Sequence, residues 1–329
     1  MGISWPEPDR VLEAKGDGPT RRAQRANRAA QEIIRDFHSV ERGVIGQLQR
    51  RLLALQKALR SRLIPDLTEF RQLSLAGLLA DTDRMVDAAT QDITNSTERP
   101  IRRAAELGDD AATEPLKAAQ LSVAPTLLGV DETLVQAAFG NTVDLLSDPM
   151  RQFATQVKQG IRRVAAAGET RFEEIRRLQR SISSAGFDNA QYRAERIIRT
   201  EVSRVFNEST YARLSGLQKD FPFLKKSWRA ANDNRTRMGH REAAQHFGKG
   251  NGIAITQAFS INVYDERPGK APRKIGVAVL RFPVDPRVTP TGRIGAGATI
   301  MCRCNAVVDL DMAAFAEFTR AQVRLALSA

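Results

Sequence analysis

Cys302 and Cys304 are the only two cysteines of the chain, and one residue separates them. In a strand, residues two apart point to the same side, so this spacing predicts both sulfurs on one face. A disulfide directly between them would be strained. Two thiols side by side suit either a soft metal ion or tight packing. His240, joined less surely by Asp233 or His246, could complete a four-ligand zinc site that pins a loop to a strand. A C-x-C pair with one distant histidine is much less specific than paired C-x-x-C motifs. The other reading makes Cys302 and Cys304 small core residues, with Asp233, Thr236 and His240 in a hydrogen-bond network that holds the loop. No cofactor is expected beyond that zinc ion.

A Cys/His pair also invites a thiol nucleophile. No third member that would orient the base is evident, and two adjacent thiols are unusual for that task. Glu201 could serve as a general base, but no paired carboxylate accompanies it. Arg199, Thr200 and Glu201 read better as a salt-bridged junction between helix and loop. There is no P-loop, dinucleotide-binding glycine set or HExxH. Gly248-Lys249-Gly250-Asn251-Gly252 lacks the strand and helix flanks of a phosphate cradle and reads as a turn. The expectation is a protein that is not an enzyme.

The element that must position these groups is an amphipathic helix centred on Arg196 to Asn207. Ile198, Val202, Val205 and Ala212 fall on one side at helical spacing, with Thr200, Arg204, Asn207 and Tyr211 on the other. A face that needed only solubility would more often carry Lys and Glu. This row of polar groups is suited to holding other backbone. Asp148-Pro149, a break at Gly168, a capping box at Thr170-x-x-Glu173 and a cap at Asp188 divide residues 149 to about 218 into three helices. Beyond Asp220 the period shortens. Lys274 to Arg281 and Ala298 to Val308 read as strands, and a last helix starts near Asp311 with Met312, Phe315, Phe318 and Val323 on its stripe.

Upstream, residues 1–20 read as a flexible tail. Leu48, Leu52, Leu55, Leu59 and Leu63, with Ile34, Phe37 and Val44 before them, predict a long helix from Thr20 to about Leu63. Gly43 and Gly46 are its points of bending and Pro65 its end. Residues 66–147 read as shorter helices broken near Pro100, Gly108, Pro115, Pro125 and Gly140. Asp81, Asp83 and Asp87 could hold a cation but better suit a solvated helix start. The fold class is α+β: a mainly helical N-terminal half, 21–148, followed over 149–329 by a compact domain of three helices and a small antiparallel sheet.

Charge is unevenly spread. The net is +12, made of about +6 over residues 1–62, −9 over 63–150 and +15 over 151–329. A basic end domain points to a polyanion, most simply double-stranded DNA bound without sequence preference, because no helix-turn-helix, RRM or zinc-finger spacing appears. No run of 18 apolar residues occurs, so no membrane span is expected. There is no signal pattern at the N-terminus, and C-x-C spacing is not that of a disulfide scaffold, so synthesis in a reducing cytoplasm is expected.

Taken in order, several pieces resemble the Mu F-like phage head morphogenesis family, the minor head proteins. They are Arg199-Thr200-Glu201 with Asn207, Trp228, Asp233 with Arg235-Thr236 and His240, Pro283-x-Asp285-Pro286, and Cys302-Arg303-Cys304. The match covers roughly residues 150 to 308, and the stretch from Ile261 to Lys274 departs from the pattern by being longer and more basic. The resemblance implies a minor structural component of a tailed-phage virion. It would be made in the bacterial host cytoplasm, be present in multiple copies inside or at the portal vertex of the head, associate with the portal protein and other head proteins, act in head morphogenesis and leave with the genome. Some relatives carry a toxin or ADP-ribosyltransferase domain after the C-R-C strand, whereas only one helix is expected after it here. The alternative function is an effector enzyme, a nuclease or ADP-ribosyltransferase-like toxin, delivered with the DNA.

Overall fold

The computed structural model describes residues 18–68, 75–123, 131–183, 185–231, 233, 235–267 and 269–328. Most of the tail expected at residues 1–20 lies outside them, as does Pro125. The fold is α+β, with long helices first and a small antiparallel sheet in the C-terminal region. In chain order the elements are α1 (Pro19–Thr68), α2 (Leu75–Ala118), α3 (Glu132–Ala166), a 3-10 turn (Gly168–Thr170), α4 (Arg171–Ser183), α5 (Ala185–Leu217), β1 (Leu224–Arg229), α6 (Met238–His246), β2 (Ile253–Ala254), β3 (Phe259–Asp265), β4 (Arg273–Leu280), α7 (Gly292–Thr299), β5 (Asn305–Leu310) and α8 (Met312–Ser328). Among the described residues no helix is long and apolar enough to cross a membrane.

The chain divides into two compact units, each discontinuous in sequence. Met1–Ser39, Arg103–Glu132 and Ser203–Ala329 form one; Val40–Arg102 and Thr133–Val202 form the other.

The second unit is helical. The leucine stripe of α1 is buried, with Leu48, Leu52, Leu59 and Leu63 essentially inaccessible, and each contributes about 1.5–3 kcal/mol by leaving water. Gly43 and Gly46 do not interrupt the helix, and Pro65 does not end it at that point. The helix continues to Thr68, with the Asp66 carboxylate paired to Arg62 across one turn. The Asp81 cluster lies in the early turns of α2 and is matched by cations of the chain itself. Asp81 pairs with Arg62 and Arg84, and Asp83 with Lys158 at 2.7 Å. Those partners fill the role a bound cation would have had.

The breaks expected at Pro100, Gly108 and Pro115 are absent: α2 runs through all three. Gly140 and Pro149 likewise lie inside α3. Gly108 has a different purpose. A Cβ there would stand 2.3 Å from Phe206 O, so glycine lets two helices touch backbone to backbone. The Thr170 hydroxyl donates to Ala167 O at 3.0 Å, closing the 3-10 turn that separates α3 from α4.

The first unit holds the sheets. β1 lies between β2 and β5, antiparallel to both, and β3 pairs with β4 as a separate hairpin. β4 was legible in the sequence. Of the strand expected at Ala298 to Val308, only the part from Asn305 onward is strand, since Ala298 belongs to α7 and Met301 turns with a φ of 54°. Trp228, Phe259, Ile261, Val263, Leu280, Cys302 and Cys304 share one core. Leu214, Leu217, Phe221, Phe223 and Phe315 share another with the end of α2. Phe315 is fully buried on α8 and Met312 is exposed, while the side chain of Val323 lies outside what is described. Ile198, Val202 and Val205 of α5 are buried as expected, but Ala212 is exposed.

Candidate metal centre

Cys302-Arg303-Cys304 follows α7 without regular secondary structure just ahead of β5, so the two cysteines are not themselves in a ladder. The alternation still holds. Both sulfurs turn inward to one histidine, and Arg303 between them turns outward to pair with Asp233. His240 Nδ1 lies 3.2 Å from Cys304 Sγ and 3.3 Å from Cys302 Sγ, and the backbone N–H of Cys304 donates to Cys302 Sγ at 3.4 Å. All three residues are buried, none more than 4% exposed. Their three donor atoms lie within 4.8 Å of one another, a possible metal-binding site. Neither Asp233 nor His246 joins them. The Asp233 carboxylate is held by Arg303 and the Thr236 hydroxyl, and His246 stands edge-on to Phe247.

The donor set fits a soft divalent ion. Around tetrahedral zinc, bond lengths of about 2.3 Å to sulfur and about 2.0–2.1 Å to nitrogen place neighbouring donors roughly 3.5 Å apart. The two nitrogen–sulfur separations here are close to that. Three protein donors leave a fourth position for a solvent oxygen. The Nε2 atom of His240 is buried with no hydrogen-bond partner among the described residues, which do not supply the usual outer partner that orients a ligating imidazole. The ring is instead oriented by α6 and by the Trp228 edge, 5.6 Å away and nearly perpendicular.

Electrostatics separate the two thiols. Burial opposes ionisation of Cys302, but the hydrogen bond to Cys304 and the charge of His240 outweigh it and hold this thiol well below the usual range. Burial and the neighbouring Cys302 push Cys304 well above it. The two thiols therefore differ in acidity, Cys302 being the more readily ionised.

Asn207 supplies the clamp. Its Nδ2 donates to Cys304 O at 3.1 Å and to Ser203 O at 2.8 Å, while its Oδ1 accepts the Ala306 N–H at 2.7 Å. One fully buried amide thus fixes the backbone on both sides of Asn305 to α5. Tyr211, one turn on, packs its ring against Phe282, tilted, at 5.3 Å. Arg204 pairs with Glu208 at 3.2 Å, and the Thr200 hydroxyl donates to Arg196 O, both within α5. Arg199 pairs with Glu195 in α5 and with Glu41 in α1, a bridge between helices and not one from helix to loop. Glu201 is buried on the same helix.

The loop before α6 is organised by Asp233, whose Oδ1 accepts from the Arg235 N–H and the Thr236 hydroxyl at 3.0 Å each. Burial resists ionisation of this carboxylate, but Thr236 and Arg303 prevail and keep it below the usual range. In the turn Pro283-Val284-Asp285-Pro286 the Asp285 carboxylate accepts the N–H groups of Arg281 and Arg287 and two bonds from the Arg281 guanidinium, all at 2.9 Å. Pro283 is buried and Pro286 exposed. The glycine turn at 248–252 is filled by the chain's own anion: the N–H groups of Gly250 and Gly252 donate to Asp309 Oδ2 at 2.9 and 3.0 Å.

Lys226 was missed in the sequence. It is fully buried on β1, its ammonium donating to Arg281 O at 2.7 Å and lying over the Tyr211 ring at 4.7 Å and the Phe259 ring at 5.2 Å. The signal was the alternation Leu224, Lys226, Trp228, which puts the lysine on the inward face. Burial first, and Arg281 second, lower its pKa from 10.5 to about 8. Below about pH 8 the ammonium is charged in both folded and unfolded chains, and the folded state bears the full penalty. Between about 8 and 10.5 the unfolded chain holds the proton and the folded chain does not, so stability rises with pH. The gain expected is about 3 kcal/mol. Melting curves of wild type and Lys226→Met across that window should differ by this slope, with the variant lacking it.

No family model, curated protein or solved structure matches the chain.

Proposed function

We propose that this chain is a non-enzymatic minor head protein of a tailed bacteriophage, of the Mu F-like morphogenesis kind, and that Cys302, Cys304 and His240 hold a structural zinc ion. The observation that carries the reading is the inward turn of the motif. The groups quoted for the resemblance close on one another. Asn207 holds the C-R-C backbone, Arg303 holds Asp233, the cysteines hold His240, and Asp285 holds its own turn. Such an arrangement favours architecture over turnover, since Asn207, His240, Cys302, Cys304 and Asp285, spent on partners within the chain at 4% exposure or less, are poorly placed to meet a substrate. Zinc would add a covalent-strength tie between α6 and the segment leading into β5.

The remaining parts of the proposal are location and partners. The chain acts in head morphogenesis inside or at the portal vertex, contacts the portal protein and other head proteins, lies against packaged double-stranded DNA, and leaves with it. The charge of about +15 over residues 151–329 supports contact with phosphate. The test is localisation in purified virions of the phage that encodes the chain. Asymmetric reconstruction and cross-linking should find it in intact heads, linked to the portal protein. A chain found only in the soluble fraction of the lysate, or a purified chain that cleaves DNA or consumes NAD, would favour the effector enzyme instead.

A further inference from the structure

α6 touches β3 at Gly239, where a Cβ would stand 1.8 Å from Asn262 O, so nothing but backbone fits at that end. One turn along α6 the Glu242 carboxylate is fixed from the strand side. Its Oε2 accepts from Asn262 Nδ2 at 2.9 Å and its Oε1 from the Tyr264 hydroxyl at 2.8 Å. The Tyr264 phenol is pushed up chiefly by that hydrogen bond. Between helix and strand lies a hollow of about 530 Å³ lined by Glu242, Gln245 and His246 on one side, Ser260 and Asn262 on the other, and Phe247. The His246 ring stands edge-on to Phe247 at 4.6 Å, so this end of the hollow is aromatic.

Lys and Arg number 50 against 38 acidic residues, and Asp233, Asp265 and Asp285 in the same unit each pair with arginine. Among the described residues Glu242 makes no ion pair. Its two hydrogen bonds use about half of a carboxylate's acceptor positions. A rigid carboxylate with spare acceptors, set in a partly aromatic hollow, is one half of a charge-assisted contact whose other half the described residues do not supply.

We propose that this hollow binds a guanidinium group on a short alkyl chain, the chemistry of an arginine side chain. The planar cation donates to Glu242 and to the oxygen acceptors of Ser260, Gln245 or Asn262, and its flat face and methylenes lie along Phe247. Phosphates and other anions are excluded by the same carboxylate. The inference does not depend on the reading under Proposed function.

The test is calorimetric titration of the full chain with three probes: N-acetyl-arginine methylamide, its neutral isostere N-acetyl-citrulline methylamide, and free arginine. One saturable site is expected for the capped arginine, with citrulline weaker by about tenfold or more, the effect of about 1.4 kcal/mol. Glu242→Gln should erase that preference. Ser260→Trp, at an exposed position of β3, should block binding by filling the hollow while leaving the melting temperature near wild type. Tighter binding of the capped form identifies an arginine within a polypeptide as the ligand, and equal binding of free arginine identifies the free amino acid; either supports the site. Equal binding of citrulline, a preference that survives Glu242→Gln, or no saturation up to about 10 mM, the millimolar limit of useful affinity, overturns it.

Discussion

Asn207→Ala is expected to destabilise the protein by about 3–5 kcal/mol. The substitution leaves Cys304 O and the Ala306 N–H buried and without the partner they now have. Each such group contributes about 1–3 kcal/mol of penalty, and a small cavity adds to it. For a unit of this size the melting temperature should fall by roughly 6–15 °C. Asn207→Asp separates the hydrogen bonds from the packing. It keeps the acceptor for Ala306 but sets a carboxylate against the carbonyl of Cys304, so it should be no better than alanine despite equal volume. A melting temperature within about 1 °C of wild type for Asn207→Ala would remove the clamp from the account, because even one lost buried hydrogen bond moves it more than that.

Loss of the proposed zinc ion should have an effect at least as large. A structural ion binds the folded chain and not the unfolded one, so its binding free energy adds directly to stability. Chelation would leave three buried donors without the ion that gathers them, and replacement of either cysteine by serine would remove one of its sulfur ligands. The expected fall in melting temperature is about 10 °C or more, corresponding to several kcal/mol. The loss should be reversed by added zinc in the wild type and not in the serine variants. His240→Ala should behave like the cysteine variants, since its Nδ1 faces both sulfurs.

Periodicity explains which parts of this fold were legible. The stripe from Ile34 to Leu63 predicted α1 because apolar spacing near 3.6 over so many turns has one structural meaning. Asn207 stood out because an amide on a helix face otherwise free of Lys and Glu suits backbone better than water. The C-x-C spacing placed two sulfurs together whether or not a ladder formed, since alternation needs only extended backbone. Helix breakers were misleading for a physical reason. Gly108 is glycine because Phe206 O needs the space, and a close approach cannot be told from a break in a single sequence. Pro100 and Pro115 sit within α2, where tertiary packing outweighs a local preference.

Other features carried a signal that was not read. Phe259, Ile261 and Val263 alternate with Ser260 and Asn262, a strand pattern as clear as that of β4. Lys226 lies on the inward side of a period-two run. The ionic partner of Arg199, Glu41, is 158 residues away in sequence, a distance that local patterning does not cross, so the sequence points to a nearby loop instead. Glu242 carries no motif at all. Its role depends on Tyr264 and Asn262 reaching it from another element, which only the fold brings about.

The central claim is that Cys302, Cys304 and His240 form a structural metal site and not a reactive one. Elemental analysis of the full chain, purified under reducing conditions without chelator, tests it most directly. The account predicts about one zinc per chain, since the described residues supply a single three-residue donor set whose tetrahedron one solvent oxygen would close. It also predicts less than a tenth of that in a Cys302→Ser, Cys304→Ser double variant. A wild-type chain with no bound metal, whose melting temperature is unchanged by zinc and by chelator, would contradict it.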